Sequence, residues 1–293
     1  MTADVMSYPE FKKSAQTHLS KWIRNIHPNI KKGEYKSKNG VVPYCHILPL
    51  DDYTNEKRKD AIIKAIERYD VLTDNVKFNL TVFPKKELHT LAHHLTSSQM
   101  LCYNFFRLFL PEELCNSREM KITPKLRDWI HKSFPDIPDI SESATCEFEY
   151  KFNDEEGTSF DFCIHDVNTT ILFEIKYTEN GFGKAPKDER HINKFNEVYS
   201  KLLNHQNTVC KSVPQKEFLN NYQLFRNALR TSENVYAVVI YPKNNTACHN
   251  EYENFLNSKW IIHPERLNRT TWEEAISNSI VSKCSELRRK YDL

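Results

Sequence analysis

The sequence predicts an α/β fold in which a mixed central sheet is flanked by helices. Three observations carry the prediction. Between Cys146 and Tyr177, three short apolar segments are separated by turn-forming residues, as in a meander of strands. Val235 to Tyr241 is an unbroken β-branched and aromatic run closed by Pro242, the pattern of a strand buried on both faces. Stretches with apolar residues at helical spacing stand on either side of both.

Taken in order, Phe11 to Ile26 is amphipathic, Lys31 to Lys38 is a basic polar run, and Glu56 to Tyr69 has helical spacing. From Lys85 to Leu110, residues Leu88, Leu91, Leu95, Leu101, Phe105 and Phe109 predict a helix, or two, packed on a sheet. Pro124 to Phe134 reads as a further helix, ended by Phe134-Pro135-Asp136-Ile137-Pro138. Strands follow at Cys146–Phe152, Ser159–His165 and Thr170–Tyr177, with turns at Asn153–Gly157 and Asp166–Asn168. After a loop containing Gly181 and Gly183 come helical sequence from about Asp188 to Asn204, a helix from about Gln215 to Leu229, the strand at 235–241, and a short helix within Thr271 to Arg289. From residue 85 the order is α, β, β, β, α, β. Three regions are expected: a mostly helical extension at 1–84 packed on the core, the core itself at 85–245, and a helical cap at 246–293.

Composition sets the outer limits. A chain of 293 residues with 39% hydrophobic residues can fill a sizeable core. Its net charge of +2 neither demands nor excludes a polyanionic partner, because a basic groove fits on a nearly neutral protein. Eight cysteines without a CxxC pair disfavour a zinc finger, and a polar N-terminus without a signal-peptide stretch makes a reducing cytoplasm the expected location. No segment approaches the roughly 20 apolar residues that cross a bilayer, so no membrane partner is expected.

The chemistry concentrates in Ser159-Phe160-Asp161-Phe162 and Phe173-Glu174-Ile175-Lys176. Twelve residues separate Asp161 from Glu174, enough to finish one strand, turn, and return along its neighbour. Glu174 and Lys176 are two apart and project from one face, while Ile171, Phe173, Ile175 and Tyr177 occupy the other. Charges set in an apolar strand are costly unless a partner or a metal compensates. Phosphodiester hydrolysis gives them a use. Two neighbouring carboxylates are hard oxygen ligands for Mg²⁺, with Mn²⁺ able to substitute, and the Ile175 carbonyl is a third candidate ligand. The Lys176 ammonium would orient or help deprotonate the attacking water and stabilise charge developing on phosphorus. Glu147 or Glu149, on the preceding strand, is a candidate for an additional metal-directed acid.

This Asp161-(x12)-Glu174-x-Lys176 constellation, on consecutive strands followed by a helix and a buried strand, resembles the PD-(D/E)XK or restriction-endonuclease-like superfamily. The resemblance implies that Asp161 and Glu174 are metal ligands and Lys176 the catalytic lysine. Phe160 stands where the proline of the motif's name would be. The segment Leu95 to Phe106, with its Thr96-Ser97-Ser98-Gln99 helix ahead of the core, resembles a group of bacterial restriction endonucleases, and implies that Gln99 or Asn104 faces the site. The same Ser-Ser-Gln break also reads as a helix cap. Gln223-Leu224-Phe225-Arg226-Asn227 resembles the glutamine-bearing helix that supports phosphate binding in several nuclease branches, which would make Gln223 and Arg226 supporting residues. As ordinary helix-surface residues they need no such role. The activity implied is Mg²⁺-dependent cleavage of DNA, in restriction or defence. Rival readings are a nucleic-acid-binding module of the same fold without turnover, and a phosphodiesterase acting on RNA or branched DNA. Double-strand cutting would suit a homodimer, although no self-complementary surface is legible.

Other chemistries fit poorly. His89 and His93 have the spacing of paired zinc ligands, but Thr90 stands where the zincin motif needs Glu. No Gly-x-Ser-x-Gly elbow and no cysteine with a designated histidine speak for a Ser or Cys hydrolase, and the absence of Gly-x-x-x-x-Gly-Lys and Gly-x-Gly-x-x-Gly loops excludes an energy-driven translocase.

Overall fold

The structure, a computed structural model, describes residues 6–51, 53–54, 57–69, 79–152 and 156–293. Part of the turn expected at Asn153–Gly157 and the first residue of the helical pattern at Glu56 lie outside the described residues.

Helix α1 (Tyr8–Ile26) opens where the Ser7 N–H donates to the Glu10 carboxylate at 2.9 Å, and buries Phe11, Ala15, Leu19 and Ile23 along one stripe. Within the region expected to be mostly helical, the basic run and the residues after it form a hairpin of β1 (Gly33–Ser37) and β2 (Gly40–Tyr44). Helix α2 (Arg58–Tyr69) follows. The helical segment expected over 85–110 shortens to α3 (Ser98–Phe106), because Ser97 is its N-cap, accepting from the Met100 N–H. Leu88, Ala92 and Leu95 reach the same core from turns instead. Helix α3 is apolar all round and is buried from Gln99 to Phe106, as suits a helix enclosed on every side.

Strand β3 (Met120–Lys121) and helix α4 (Pro124–Ser133) lead into β4 (Thr145–Lys151), β5 (Ser159–His165) and β6 (Thr170–Ile175). A helical crossover follows: α5 (Glu189–Lys194), a π-helical turn at Phe195–Tyr199, α6 (Ser200–His205), α7 (Gln215–Asn220) and α8 (Tyr222–Ala228). It delivers β7 (Val235–Tyr241) parallel to β6, as such a connection must. The C-terminal segment holds α9 (Thr246–Leu256), β8 (Leu267–Thr271), α10 (Trp272–Asn278) and α11 (Cys284–Tyr291). It therefore contributes a sheet strand as well as helices, since β8 pairs in parallel with β7.

Among the described residues the main sheet has six strands in the order β3-β4-β5-β6-β7-β8, antiparallel up to β6 and parallel beyond it. Ile171, Phe173, Ile175, Val238 and Ile240 face a core shared with α1 to α4, α10 and α11. Ala237, Val239 and Tyr241 face a second core built with the crossover helices and α9. This is the mixed α/β sheet with helices on both faces that the sequence predicts.

Candidate active site

The site begins where the sheet forks. The β5–β6 ladder runs from His165–Thr170 to Phe162–Phe173 and stops. The next position in that register sets Asp161 opposite Glu174. On the other side of β5 the rungs Phe148–Phe162 and Tyr150–Phe160 flank a missing rung, where Glu149 stands opposite Asp161. Three acids therefore form one row across three strands. Glu149 has a positive φ of 51°, a left-handed conformation that a residue with a Cβ adopts at a cost. The alternation of faces resets there. Phe148 and Phe162 enter the large core, whereas Tyr150 and Phe160 pack on the opposite face with Cys163 and Leu172. Opening the ladder frees the Ile175 N–H, and Asp161 Oδ2 accepts it at 2.7 Å.

Lys176 follows directly after β6. Its backbone is held at both ends: its N–H donates to the Ile240 carbonyl at 2.8 Å, and its own carbonyl accepts from Trp272 Nε1 at 3.0 Å. Its ammonium donates to Glu174 Oε1 at 2.9 Å and to Gln223 Oε1 at 2.8 Å, and Gln223 Nε2 donates to the same Glu174 oxygen at 2.8 Å. Helix α8 thus closes a three-membered ring of side chains over the end of β6. Glu174 and Lys176 are 6% and 7% exposed, so the pair is a buried one.

Charge is unevenly balanced along the row. Burial pushes the Asp161 carboxyl well above its ordinary value, and the Glu174 and Glu149 carboxylates push it further, against the opposing effect of the Ile175 N–H. Burial likewise raises Glu149 to about 7, helped by Glu87 and Glu174 and opposed by the Gln99 hydrogen bond. Burial alone would lower the Lys176 amine. Glu174 and Glu179 outweigh it, and the group stays an ammonium well into the alkaline range. Three mutually repelling acids with one buried cation beside them are an electrostatic arrangement that one more positive charge would relieve.

These groups open onto a cleft of about 670 Å³, whose walls include Asp161, Lys176, Glu149, Gln99 and Gln223. Gln99 is both a helix-start residue and a wall of the cleft. Its amide donates to Glu149 at 2.7 Å and to the Glu87 carbonyl at 3.1 Å, and accepts from the His89 N–H at 2.8 Å. The glycine loop forms another wall. At Gly181 the φ of 80° is a left-handed conformation that favours glycine, and a Cβ there would displace the Glu251 carboxylate.

Three of the residues anticipated from sequence point elsewhere. Glu147 lies on the opposite face of β4, bonded to Arg118 at 3.0 Å. Asn104 is buried in the core, donating to the Tyr291 hydroxyl at 2.8 Å. Arg226 is paired with Glu156 at 2.6 Å, beside Arg230, which meets the same carboxylate at 2.7 Å. The Ile175 side chain is in the core, and its backbone N–H is what meets Asp161. Conversely, Tyr8 and Lys12 of α1 and Glu179 line the cleft, although sequence reasoning does not single them out. The Tyr8 hydroxyl donates to the Thr178 carbonyl at 3.0 Å, docking α1 beside the end of β6. No local signal marks Lys12, since more than a hundred residues separate it from the motif. Among the described residues, no three His, Cys, Asp or Glu side chains converge as a ready-made metal cage.

The order of elements and the mixed six-stranded sheet are those of a restriction-endonuclease-like protein. More particularly, the chain belongs to the family described as restriction endonuclease associating with ARP, whose model matches residues 16–292. No curated protein and no solved structure matches the chain significantly. Among the described residues, no helix is long and apolar enough to cross a membrane.

Proposed function

We propose that the chain is a Mg²⁺-dependent endonuclease that hydrolyses phosphodiester bonds of DNA, in restriction or defence. The observation that carries this reading is the register position that sets Asp161 beside Glu174 at the fork of the sheet, with the Lys176 ammonium on Glu174. The donor set fits a divalent cation: carboxylate oxygens of Asp161 and Glu174, joined by the Ile175 carbonyl, are hard ligands, and their mutual repulsion falls when a cation lies between them. Mn²⁺ would substitute. When bound, the ion supplies charge neutralisation on the phosphate and acidifies a bound water.

The remaining work belongs to the chain itself. Lys176 remains an ammonium, so it acts as a hydrogen-bond donor and counter-charge towards the attacking water and the phosphate rather than as a base. Gln223 holds that ammonium in place from α8. Gln99 holds Glu149 at the edge of the cleft as a reserve acid for the cation's outer waters.

A module that binds nucleic acid without turnover is the competing reading, favoured by Glu174 already being engaged by Lys176 and Gln223. Purified protein incubated with plasmid and linear duplex DNA decides between them. Cleavage with Mg²⁺ or Mn²⁺ that disappears in Glu174→Ala and in Lys176→Ala is the expected result. Binding without metal-dependent cleavage of duplex DNA, branched DNA or RNA would end the enzyme reading, and cleavage of RNA or branched DNA alone would move the substrate.

A further inference from the structure

The β1–β2 hairpin has no part in the chemistry described above, yet its composition and position are those of a binding element. Residues 31–44 contain Lys31, Lys32, Lys36 and Lys38 against a single acid, Glu34. Among the described residues none of these four lysines enters an ion pair, whereas Lys85, Lys86, Lys151 and Lys176 do. Every residue of β2 is exposed, and so is every residue of β1 except Gly33. Tyr35, Val41, Val42 and Tyr44 are 39% to 51% exposed. A two-stranded ribbon is marginal in water, and one that shows both aromatic and apolar side chains to solvent is explained by a partner.

The hairpin is also well placed. Its base is tight: the Gly33 N–H donates to the Ile47 carbonyl at 3.0 Å, and a Cβ on Gly33 would lie 2.5 Å from the carbonyl oxygens of Ile47 and Leu48. The Tyr35 ring meets His94 edge-on, with centroids 6.0 Å apart. Lys31, Lys32, Tyr35 and Lys36 line a groove of about 400 Å³, and this groove shares Leu91 and His94 as walls with the cleft that holds Asp161. The hairpin therefore flanks the entrance to the candidate active site, on the side where Lys12 also stands.

We propose that the β1–β2 hairpin is a DNA-gripping arm, whose lysines contact backbone phosphates of the duplex entering the cleft. A two-stranded ribbon fits the major groove, and lysines on it that enter no ion pair among the described residues are the groups that displace condensed counterions. This inference rests on the nucleic-acid reading of the cleft but not on its catalysis.

The test measures binding of a duplex DNA oligonucleotide by fluorescence anisotropy in EDTA, across a salt series, for three full-length proteins. These are the wild type, the quadruple variant Lys31→Ala, Lys32→Ala, Lys36→Ala and Lys38→Ala, and a control with two exposed lysines of α4 removed, Lys125→Ala and Lys132→Ala. Thermal midpoints and sedimentation check folding and assembly, and a Lys36→Glu, Lys38→Glu variant provides a second perturbation at the hairpin tip. The quadruple variant should bind roughly tenfold or more weakly, with a salt slope lower by about 0.9 for each phosphate that is no longer neutralised. The tip reversal should weaken binding too, while the α4 control variant keeps the wild-type affinity and slope to within the one or two charges it lacks. Unchanged affinity and slope in both hairpin variants overturn the proposal. So does a wild type that binds no duplex or prefers single-stranded RNA, and so does loss of a dimer with DNA binding intact, which makes the hairpin a contact between copies. Cleavage by the wild type with hairpin-independent binding refutes the arm alone; hairpin-dependent binding with no cleavage in Mg²⁺ supports the arm and refutes the enzyme reading alone.

Discussion

Replacing Asp161 by asparagine separates a metal site from a structural ion cluster. In the metal-free protein the raised carboxyls of Asp161 and Glu149 work against the fold once they ionise. A carboxyl whose folded pKa is raised favours the native state below its ordinary value and loses that contribution as pH rises through the folded value. For Glu149, raised from 4.5 to about 7, the loss by neutral pH amounts to about 3 kcal/mol. An asparagine side chain carries no charge and still offers an oxygen to the Ile175 N–H, so Asp161→Asn should leave the metal-free thermal midpoint equal to or above that of the wild type. It should also remove the part of the decline in stability that Asp161 itself contributes as pH rises above its ordinary 3.8. A bound cation reverses the balance. A metal at about a hundred times its Kd adds about 2.7 kcal/mol, which in a chain of this size raises the midpoint by roughly 5–10 °C. Scanning calorimetry of both proteins in EDTA and in a Mn²⁺ series should give that rise in the wild type and none in Asp161→Asn. A wild type indifferent to Mn²⁺, together with an Asp161→Asn protein several degrees less stable in EDTA, would refute the reasoning and leave the row as a purely structural network.

Gln223→Leu frees the Lys176 ammonium from α8 while leaving the carboxylates in place. Cleavage should fall by about 10- to 100-fold with the Mn²⁺-induced rise in midpoint retained, and Gln223→Glu should not restore it. Glu156→Gln removes the negative charge that the guanidiniums of Arg226 and Arg230 both meet but keeps an acceptor oxygen, and denaturant unfolding should show a loss of about 1–3 kcal/mol. Those guanidiniums overcome burial and hold the Glu156 carboxyl below 4.5. The pairing is therefore fully present above that pH and is lost as pH falls through the lower folded value, so the wild type should approach the variant's stability in acid. Gly181→Ala forces a Cβ into a left-handed position against Glu251 and should cost about 1–2 kcal/mol or more, read as a lower thermal midpoint with reduced cleavage.

Much of this is legible in the sequence because backbone periodicity reports burial. The runs at 159–165 and 235–241 are strands over those same residues, and Glu174-x-Lys176 keeps its polar pair on the face opposite Ile175. What is not legible depends on partners distant in sequence. Glu147 and Glu149 have the same parity on one strand, and only the positive φ at Glu149 separates a residue bonded to Arg118 from one in the cleft. Gln223 and Arg226 are three apart on one helix, yet the first meets Lys176 and the second meets Glu156. Strand β8 hides in polar sequence, Leu267-Asn268-Arg269-Thr270-Thr271, because it lies at the sheet's edge and buries only Leu267 and Thr270. The hairpin reads only as a basic run, since strands exposed on both faces show no hydrophobic alternation.

The most direct test is a crystal of the wild type grown or soaked with Mn²⁺ and measured at the manganese absorption edge. An anomalous peak within coordination distance of the carboxylates of Asp161 and Glu174, with no peak in Asp161→Asn, is the predicted result. Density that leaves both acids bonded only to Ile175, Lys176 and Gln223 at saturating Mn²⁺ would contradict it.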